Sequence, residues 1–350
     1  MSDRGVVLAE PGADPAVEPI ALDPPGPGEV LVRVTATGVC HTDLHVVESG
    51  GWGQRPPVLL GHEAAAVVEE TGEGVEGLAP GDAVVLAWRV PCGRCPACER
   101  GQPRRCRSPK RAARRARRAA DGAELAQALL VGGFATRIVV HAEQAVRVPA
   151  ELPPEQACLI GCAVATGVGA VLHTAEVWPG ARVGVVGCGG VGLSVVQGAR
   201  LAGAAEIVAV DVAEGKREDA RRFGATDAAE ALAPDARLDF VFDAVGRPAT
   251  VAAGLAALGH AGMLVVVGIP RPGDAVQVDL QRLFDARAQV RVSHGGDHLP
   301  SEDVPALAGH ALAGRLDLGA MVTRTIGLDD AAGAIREVGA PGSIRTVVVP

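Results

Sequence analysis

Residues 183–192 read VGVVGCGGVG, and the organisation of the whole 350-residue chain follows from this stretch. Residues 183–186 form a short apolar run suited to a buried strand, and Gly187, Gly189 and Gly192 follow it at the spacing of a dinucleotide-binding turn. In such a turn Gly187 allows a sharp reversal, Gly189 lets the backbone approach a pyrophosphate, and Gly192 brings helix and strand together. Gly190 and Val191 open an apolar helix running to about Leu201, whose first amides and positive dipole end would face the phosphates. Glycine spacing alone is weak evidence, and the flanking strand and helix supply the context it needs. The next apolar run, 207–210, ends in Asp211, nineteen residues beyond Gly192, where a carboxylate accepts from the adenosine ribose 2′-hydroxyl and repels a 2′-phosphate. The expected cofactor is NAD rather than NADP. A mere capping role for Asp211 would make the glycine spacing a coincidence.

Outward from this point, strand-like runs at 182–186, 206–210, 238–243 and 262–267 alternate with Ala-rich helical stretches, the rhythm of a doubly wound parallel sheet. Upstream, short β-branched runs at 29–34 and 64–68, separated by Gly and Pro, predict a β-rich domain of small strands. The alternation stops after about Gly295, and a last run at 343–349 predicts a strand that completes the first domain. The expected class is α/β, with a β-rich domain at 1–163, completed by 296–350, and a doubly wound domain at 164–295. Two domains also suit the length, since single cores stop growing near about 250–300 residues.

Hydrophobic residues make up 48% and charged residues 21%, a globular rather than a disordered composition. A formal net charge of −8 opposes nucleic acid or an anionic membrane surface as the main partner. The start, MSDRGVVLAEPGADP, lacks an apolar segment behind a basic one, and no apolar run reaches the roughly 18 residues of a membrane span, so a cytoplasmic protein is expected. Eight cysteines without an export signal read as thiols or metal ligands. One basic stretch, RRCRSPKRAARRARR at 104–118, places Arg111, Arg114, Arg115 and Arg118 at helical spacing. A solvated, exposed loop is the expectation for such a charge run, and a clamp for an anionic or heavily hydroxylated substrate is the competing reading.

Cys92, Cys95 and Cys98 lie three residues apart, and Cys106 follows eight residues later. Four soft thiolates in one small loop close a tetrahedral zinc site, which leaves no position for substrate and so reads as structural. An iron–sulfur cluster or redox centre is the alternative, separable by its colour. Cys40 in GVCHTDLH, His62 in LLGHEAAAVVE and Cys162 in IGCAVATGVGA are scattered, and their spacing alone proves nothing.

Taken together, GVCHTDLH, GHE, the four-cysteine loop, IGCAVATGVGA, VVGCGGVG, VAVDVAEGK and SIRTVVV occur in the order of the zinc-containing alcohol dehydrogenases of the medium-chain dehydrogenase/reductase family, which this chain resembles over nearly its whole length. The resemblance implies a GroES-like catalytic domain interrupted by a Rossmann domain, and two zinc ions per subunit. By it, Cys40, His62 and Cys162 are the catalytic zinc ligands, leaving a fourth position open for a substrate oxygen. Thr42 and His45 match the family's proton relay. Asp43 matches a carboxylate that orients His62, and Glu63 a second acid near the metal, although both also suit an ordinary buried, hydrogen-bonded role. His41, Thr166, Lys216 and Arg345 match cofactor contacts, beside Gly187, Gly189, Gly190, Val191, Gly192 and Asp211.

Within the family, VVLAWRVPCGRCPACERGQPRRC and SHGGDHLPSEDVPALAGHALAGRLDL resemble the glutathione- or mycothiol-dependent formaldehyde dehydrogenases, whose mycothiol branch implies oxidation of S-(hydroxymethyl)mycothiol. The arginine run departs from the mixed polar loop of that branch. A general zinc alcohol dehydrogenase acting on a larger alcohol is therefore the alternative activity. A non-catalytic NAD-binding, zinc-stabilised interaction protein is the alternative from another class. The family habit of pairing Rossmann sheets implies a homo-oligomer, dimer or tetramer.

Overall fold

A computed structural model describes residues 2–50, 55–340 and 342–350. Contacts divide the chain into two units, Met1–Cys162 with Leu299–Pro350, and Ala163–His298.

The unit Ala163–His298 is built on six parallel strands, in the order Asp227–Ala229, Glu206–Val210, Arg182–Val186, Leu238–Asp243, Leu258–Val266, Gln289–Val292. The chain starts in the middle at Arg182–Val186, winds outward to one edge, then returns to wind toward the other. That reversal leaves a crevice at the carboxyl ends of Arg182–Val186 and Leu238–Asp243, the place where such sheets bind ligands. Central strands covered on both faces need apolar residues throughout, and Val183, Val185, Phe240, Phe242 and Leu264 are almost wholly buried. Phe240 takes an edge-on contact from Trp178 at 4.6 Å between ring centroids. The expected strand at 262–267 begins earlier, at Leu258, which pairs with Leu238 before a register shift brings Met263 opposite Phe240. The sixth strand, QVRV, is fully exposed and carries too little apolar pattern to stand out in the sequence.

The other unit holds a five-stranded and a seven-stranded sheet. Glu29–Gly38, the longest strand, pairs antiparallel with Glu63–Thr71, Arg137–His141 and Arg345–Val349. One apolar cluster gathers Val32, Leu59, Val68, Leu86 and Ile138, and another gathers Leu8, Val39, Val46, Leu60, Phe134 and Val348. The last strand forms as expected from the 343–349 run, and Val322–Gly327 lies beside it. The helix Pro300–Leu312 is not among the expected elements, although its start is marked in the sequence: Pro300 opens it and Glu302 and Asp303 occupy its first turn, where acids suit the helix dipole. The run Pro154–Ala175 is long and apolar enough to cross a membrane by composition, yet 83% of its apolar window is buried within the protein.

The 104–118 stretch is for the most part the exposed loop that its charge suggests, with Arg105, Arg107, Arg111 and Arg114 exposed, but its end is ordered as a strand. Ala116–Arg118 form a short strand against Ala16–Leu22, and no helix runs through the helically spaced arginines. Carboxylates from distant segments take up the charges: Arg104 meets Asp303 at 2.8 Å and Glu302 at 3.2 Å, Lys110 meets Glu143, and Arg117 meets Asp23 at 3.4 Å. Exposed pairs of this kind contribute at most about 1 kcal/mol each. Glu29 matters more, because it is 5% exposed and accepts from the Gly26 amide at 2.9 Å, the Ala113 amide at 2.6 Å and Arg115 Nε at 2.7 Å. Burial pushes its pKa up, but these three donors outweigh burial and hold it below the usual 4.5. A lowered carboxyl pKa contributes stability above the unfolded value and loses it as pH falls through the folded one. Glu29→Gln is expected to lower the unfolding free energy by about 1–3 kcal/mol at pH 7. The deficit should shrink below about pH 4.5, a comparison that urea melts at several pH values check.

Candidate active site

Cys40 is the N-cap of the helix His41–Ser49, and Asp43 is the third residue of that helix. One oxygen of Asp43 accepts from the Cys40 amide at 3.0 Å, closing the helix end, and the other lies 2.9 Å from His62 Nδ1. Asp43 and His62 are both completely buried. With Nδ1 engaged, only Nε2 is left for other chemistry, and it is buried without a hydrogen-bond partner. Cys162 comes from the Pro154–Ala175 run, in a π-helical stretch, Ile160–Val164, of the kind that often marks functional positions. The donor atoms of Cys40, His62 and Cys162 lie within 4.8 Å of one another, all buried.

Protons are distributed unequally in this cluster. A hydrogen bond from Cys162, helped by Arg345 and His62, draws the Cys40 thiol well below its ordinary pKa against the effect of burial. Cys40 and burial together push Cys162 well above. Burial disfavours a charged His62, but Asp43 more than offsets this and raises it well above the ordinary value. A buried imidazole nitrogen left unsatisfied costs about 1–3 kcal/mol. Two thiols and one imidazole form a dry, soft donor set that suits zinc with one position open, and a zinc ion would satisfy Nε2.

Glu63 and Arg345 lie behind the ligands. Arg345 Nε is 3.5 Å from Glu63 Oε1, and its Nη1 donates to the Val39 carbonyl at 3.3 Å. A side chain at Gly38 would collide with Glu63, since its Cβ would fall 2.2 Å from Oε1. Arg345, expected at the cofactor, is 4% exposed and lies among Glu63, Cys40, Cys162 and Asp43. Thr42 and His45 are half-buried and one helical turn apart, so they share a helix face. His41 is exposed, with its ring over Gly339.

The Sγ atoms of Cys92, Cys95, Cys98 and Cys106 also lie within 4.8 Å of one another. The Cys92 amide donates to Cys106 Sγ at 3.2 Å. The amides of Arg107 and Cys98 lower the Cys95 pKa to about 6, whereas desolvation and Cys95 raise Cys98 to about 11. All eight cysteines are free, as a thiol or metal-ligand role requires.

In the Ala163–His298 unit, Gly187 has φ +88°, and a Cβ on Gly192 would fall 1.7 Å from the Gly187 carbonyl oxygen. Gly189, by contrast, faces open space, with nothing within 4 Å of where a Cβ would stand. It also caps the helix Gly190–Leu201 with no side chain over the first amides, so a pyrophosphate fits there. Asp211 accepts from the Cys188 amide at 2.9 Å and the Ala213 amide at 3.0 Å, tying the end of Glu206–Val210 to the glycine turn. Lys216 lies on the following helix, Glu214–Arg222, and Val191 and Thr166 are half-buried. Sequence reasoning missed Asp243, which ends its own strand on one side of Arg182–Val186, as Asp211 follows Glu206–Val210 on the other. It is fully buried and accepts from the amides of Val245 at 2.9 Å and Gly246 at 3.2 Å, and an acid closing an apolar run was the available signal.

The alcohol dehydrogenase GroES-like domain family matches residues 26–150, and the zinc-binding dehydrogenase family matches residues 190–313. S-(hydroxymethyl)glutathione dehydrogenase of Escherichia coli O1:K1 / APEC is 34% identical over 368 aligned positions, covering 99% of this chain and 100% of its own. Among solved structures, an alcohol dehydrogenase zinc-binding domain protein from Burkholderia ambifaria superposes with a TM-score of 0.93 at 32% identity, over 100% of this chain and 99% of its own. Benzyl alcohol dehydrogenase from Acinetobacter calcoaceticus follows with a TM-score of 0.90 at 28% identity and the same coverage. For the three-ligand cluster, Asp43→Asn is expected to weaken zinc binding about 10–100-fold, because a ligating imidazole depends on its carboxylate partner. Chelator competition against the unaltered protein measures the change.

Proposed function

The chain belongs to the zinc-containing alcohol dehydrogenases of the medium-chain dehydrogenase/reductase family, and we propose that it exchanges a hydride between NAD and a primary alcohol, aldehyde or thiohemiacetal at the Cys40, His62 and Cys162 cluster. The observation that carries this reading is the buried, unsatisfied Nε2 of His62 facing two thiols. Cys40, His62 and Cys162 would hold the zinc, whose Lewis acidity would lower the pKa of a substrate hydroxyl, and NAD at the glycine turn would supply the hydride acceptor. Asp43 holds the imidazole in register, and Arg345 balances the negative charge of Glu63 and the thiolates. Thr42 takes the substrate proton and His45 passes it outward. The four-cysteine loop would hold a second zinc, which would stabilise its own lobe. Asp211 favours NAD, with His41, Thr166 and Lys216 as further cofactor contacts. Cytoplasmic residence suits this chemistry.

A thiohemiacetal such as S-(hydroxymethyl)mycothiol or its glutathione counterpart is the substrate we favour, supported by likeness to S-(hydroxymethyl)glutathione dehydrogenase. A larger free alcohol is the second reading, supported by likeness to benzyl alcohol dehydrogenase and by the ion-paired arginine segment. NADH formation from formaldehyde with mycothiol, formaldehyde with glutathione, and free alcohols including benzyl alcohol distinguishes them. Turnover confined to a thiol adduct, abolished in Cys40→Ala, is the expected result. Turnover of free alcohols alone would replace the first reading with the second.

The homo-oligomer we place at the sheet edge. Every residue of Gln289–Val292 is exposed, with Val292 at 70%, and the adjoining helix Leu280–Ala286 exposes Phe284 at 79%. An open edge beside exposed apolar side chains invites pairing with a second copy. Phe284→Glu combined with Val292→Lys is expected to reduce the sedimenting species to the 35.5 kDa chain with zinc content unchanged.

A further inference from the structure

The turn Gly295–Asp297 has three successive residues at positive φ: 62°, 74° and 46°. Asp297 is not glycine, and a left-handed backbone costs such a residue about 1–2 kcal/mol, less for Asp than for most. Strain of this kind persists only where surrounding structure over-determines it, and it gathers at functional positions. Here the restraint is a buried polar network. Thr174 Oγ1 donates to Asp297 Oδ2 at 2.7 Å and lies 2.8 Å from Ser293 Oγ, with Thr174 and Ser293 both buried. His298 Nδ1 lies 2.6 Å from the Gly295 carbonyl oxygen, closing the turn from its other side.

The turn presses on the helix that carries Thr166. A Cβ on Gly296 would stand 2.1 Å from the Ala165 carbonyl oxygen and 2.9 Å from Thr166 Cα, and one on Gly169 would stand 2.4 Å from the Gly296 carbonyl oxygen. Backbone therefore meets backbone, and displacement of the turn displaces Thr166. The position of the turn in the sheet says what it serves. The pyrophosphate place at Gly189 lies at the end of Arg182–Val186, with Asp211 marking the adenosine side. Strands stand about 4.8 Å apart, so the far half of a dinucleotide extends over Leu238–Asp243 and Leu258–Val266. The next strand, Gln289–Val292, leads at its carboxyl end through Ser293 into the strained turn.

We propose that Thr174, Ser293 and Asp297 are positioning residues for the nicotinamide half of the cofactor: they hold Gly295–Asp297 in its left-handed form and, through Gly296, fix Thr166 against the ring. This rests on the NAD-linked reading above. Titration calorimetry with NADH and with ADP-ribose, which lacks the nicotinamide, tests it on the zinc-loaded protein. Thr174→Val and Ser293→Ala are expected to weaken NADH binding about tenfold, or 1.4 kcal/mol, with ADP-ribose binding unchanged and Thr174→Ser restoring NADH. Gly296→Ala, which forces the turn away from the Ala165 and Thr166 backbone, should reproduce the selective loss. Equal loss of both ligands, or no loss of NADH, overturns the proposal. A wild-type protein that binds neither ligand overturns the NAD-linked reading itself, and this inference with it.

Discussion

A polar side chain buried completely is costly unless its atoms have partners, and Asp43 meets that condition, one oxygen facing the Cys40 amide and the other the His62 ring. Most of the metal cluster follows from this pair of contacts. The register of Glu29–Gly38 against Glu63–Thr71 places Gly38 opposite Glu63, so Cys40 and His62 leave the paired strands side by side. Asp43 then converts proximity into orientation, fixing the first turn of the helix and the rotation of the imidazole with one side chain. The bare Cβ position at Gly38 gives Glu63 its room, and Glu63 in turn receives Arg345 from the last strand.

The two candidate metal centres differ in what builds them. Four cysteines between positions 92 and 106 converge through a short loop with its own hydrogen bonds, so local sequence suffices. Cys40, His62 and Cys162 converge only through a completed sheet and a locally widened helix. The first therefore suits a structural role within its lobe. The second is a product of the whole unit, and holds its ligands dry.

That difference also sets what can be read from sequence. The glycine turn, Asp211 and the four-cysteine loop carry their meaning in contiguous residues, and the parallel sheet follows from the first of these. Cys40, His62 and Cys162 are legible through resemblance alone, because the contacts joining them span 122 positions of chain. The arginine run defies its own pattern for a related reason. Its helical spacing concerns its own residues, while the groups that decide its conformation, Glu29, Asp23 and Asp303, lie far away in sequence. Thr174, Ser293 and Asp297 leave no pattern at all, since a buried hydroxyl pair looks like any surface serine and threonine until the fold joins them.

The path of the chain bears on biosynthesis. The unit with the candidate metal sites is assembled from Met1–Cys162 and Leu299–Pro350, with Ala163–His298 inserted between. Arg345–Val349 pairs with Glu29–Gly38, and Arg345 supplies the counter-charge to Glu63. On a ribosome, where segments fold in order of emergence, the inserted unit has all its strands before its host has its last one. The strand edge at Thr37 and Gly38 and the Arg345 contact of Glu63 must therefore wait for Arg345–Val349, so the inserted unit is complete in sequence before the candidate metal site gains its counter-charge.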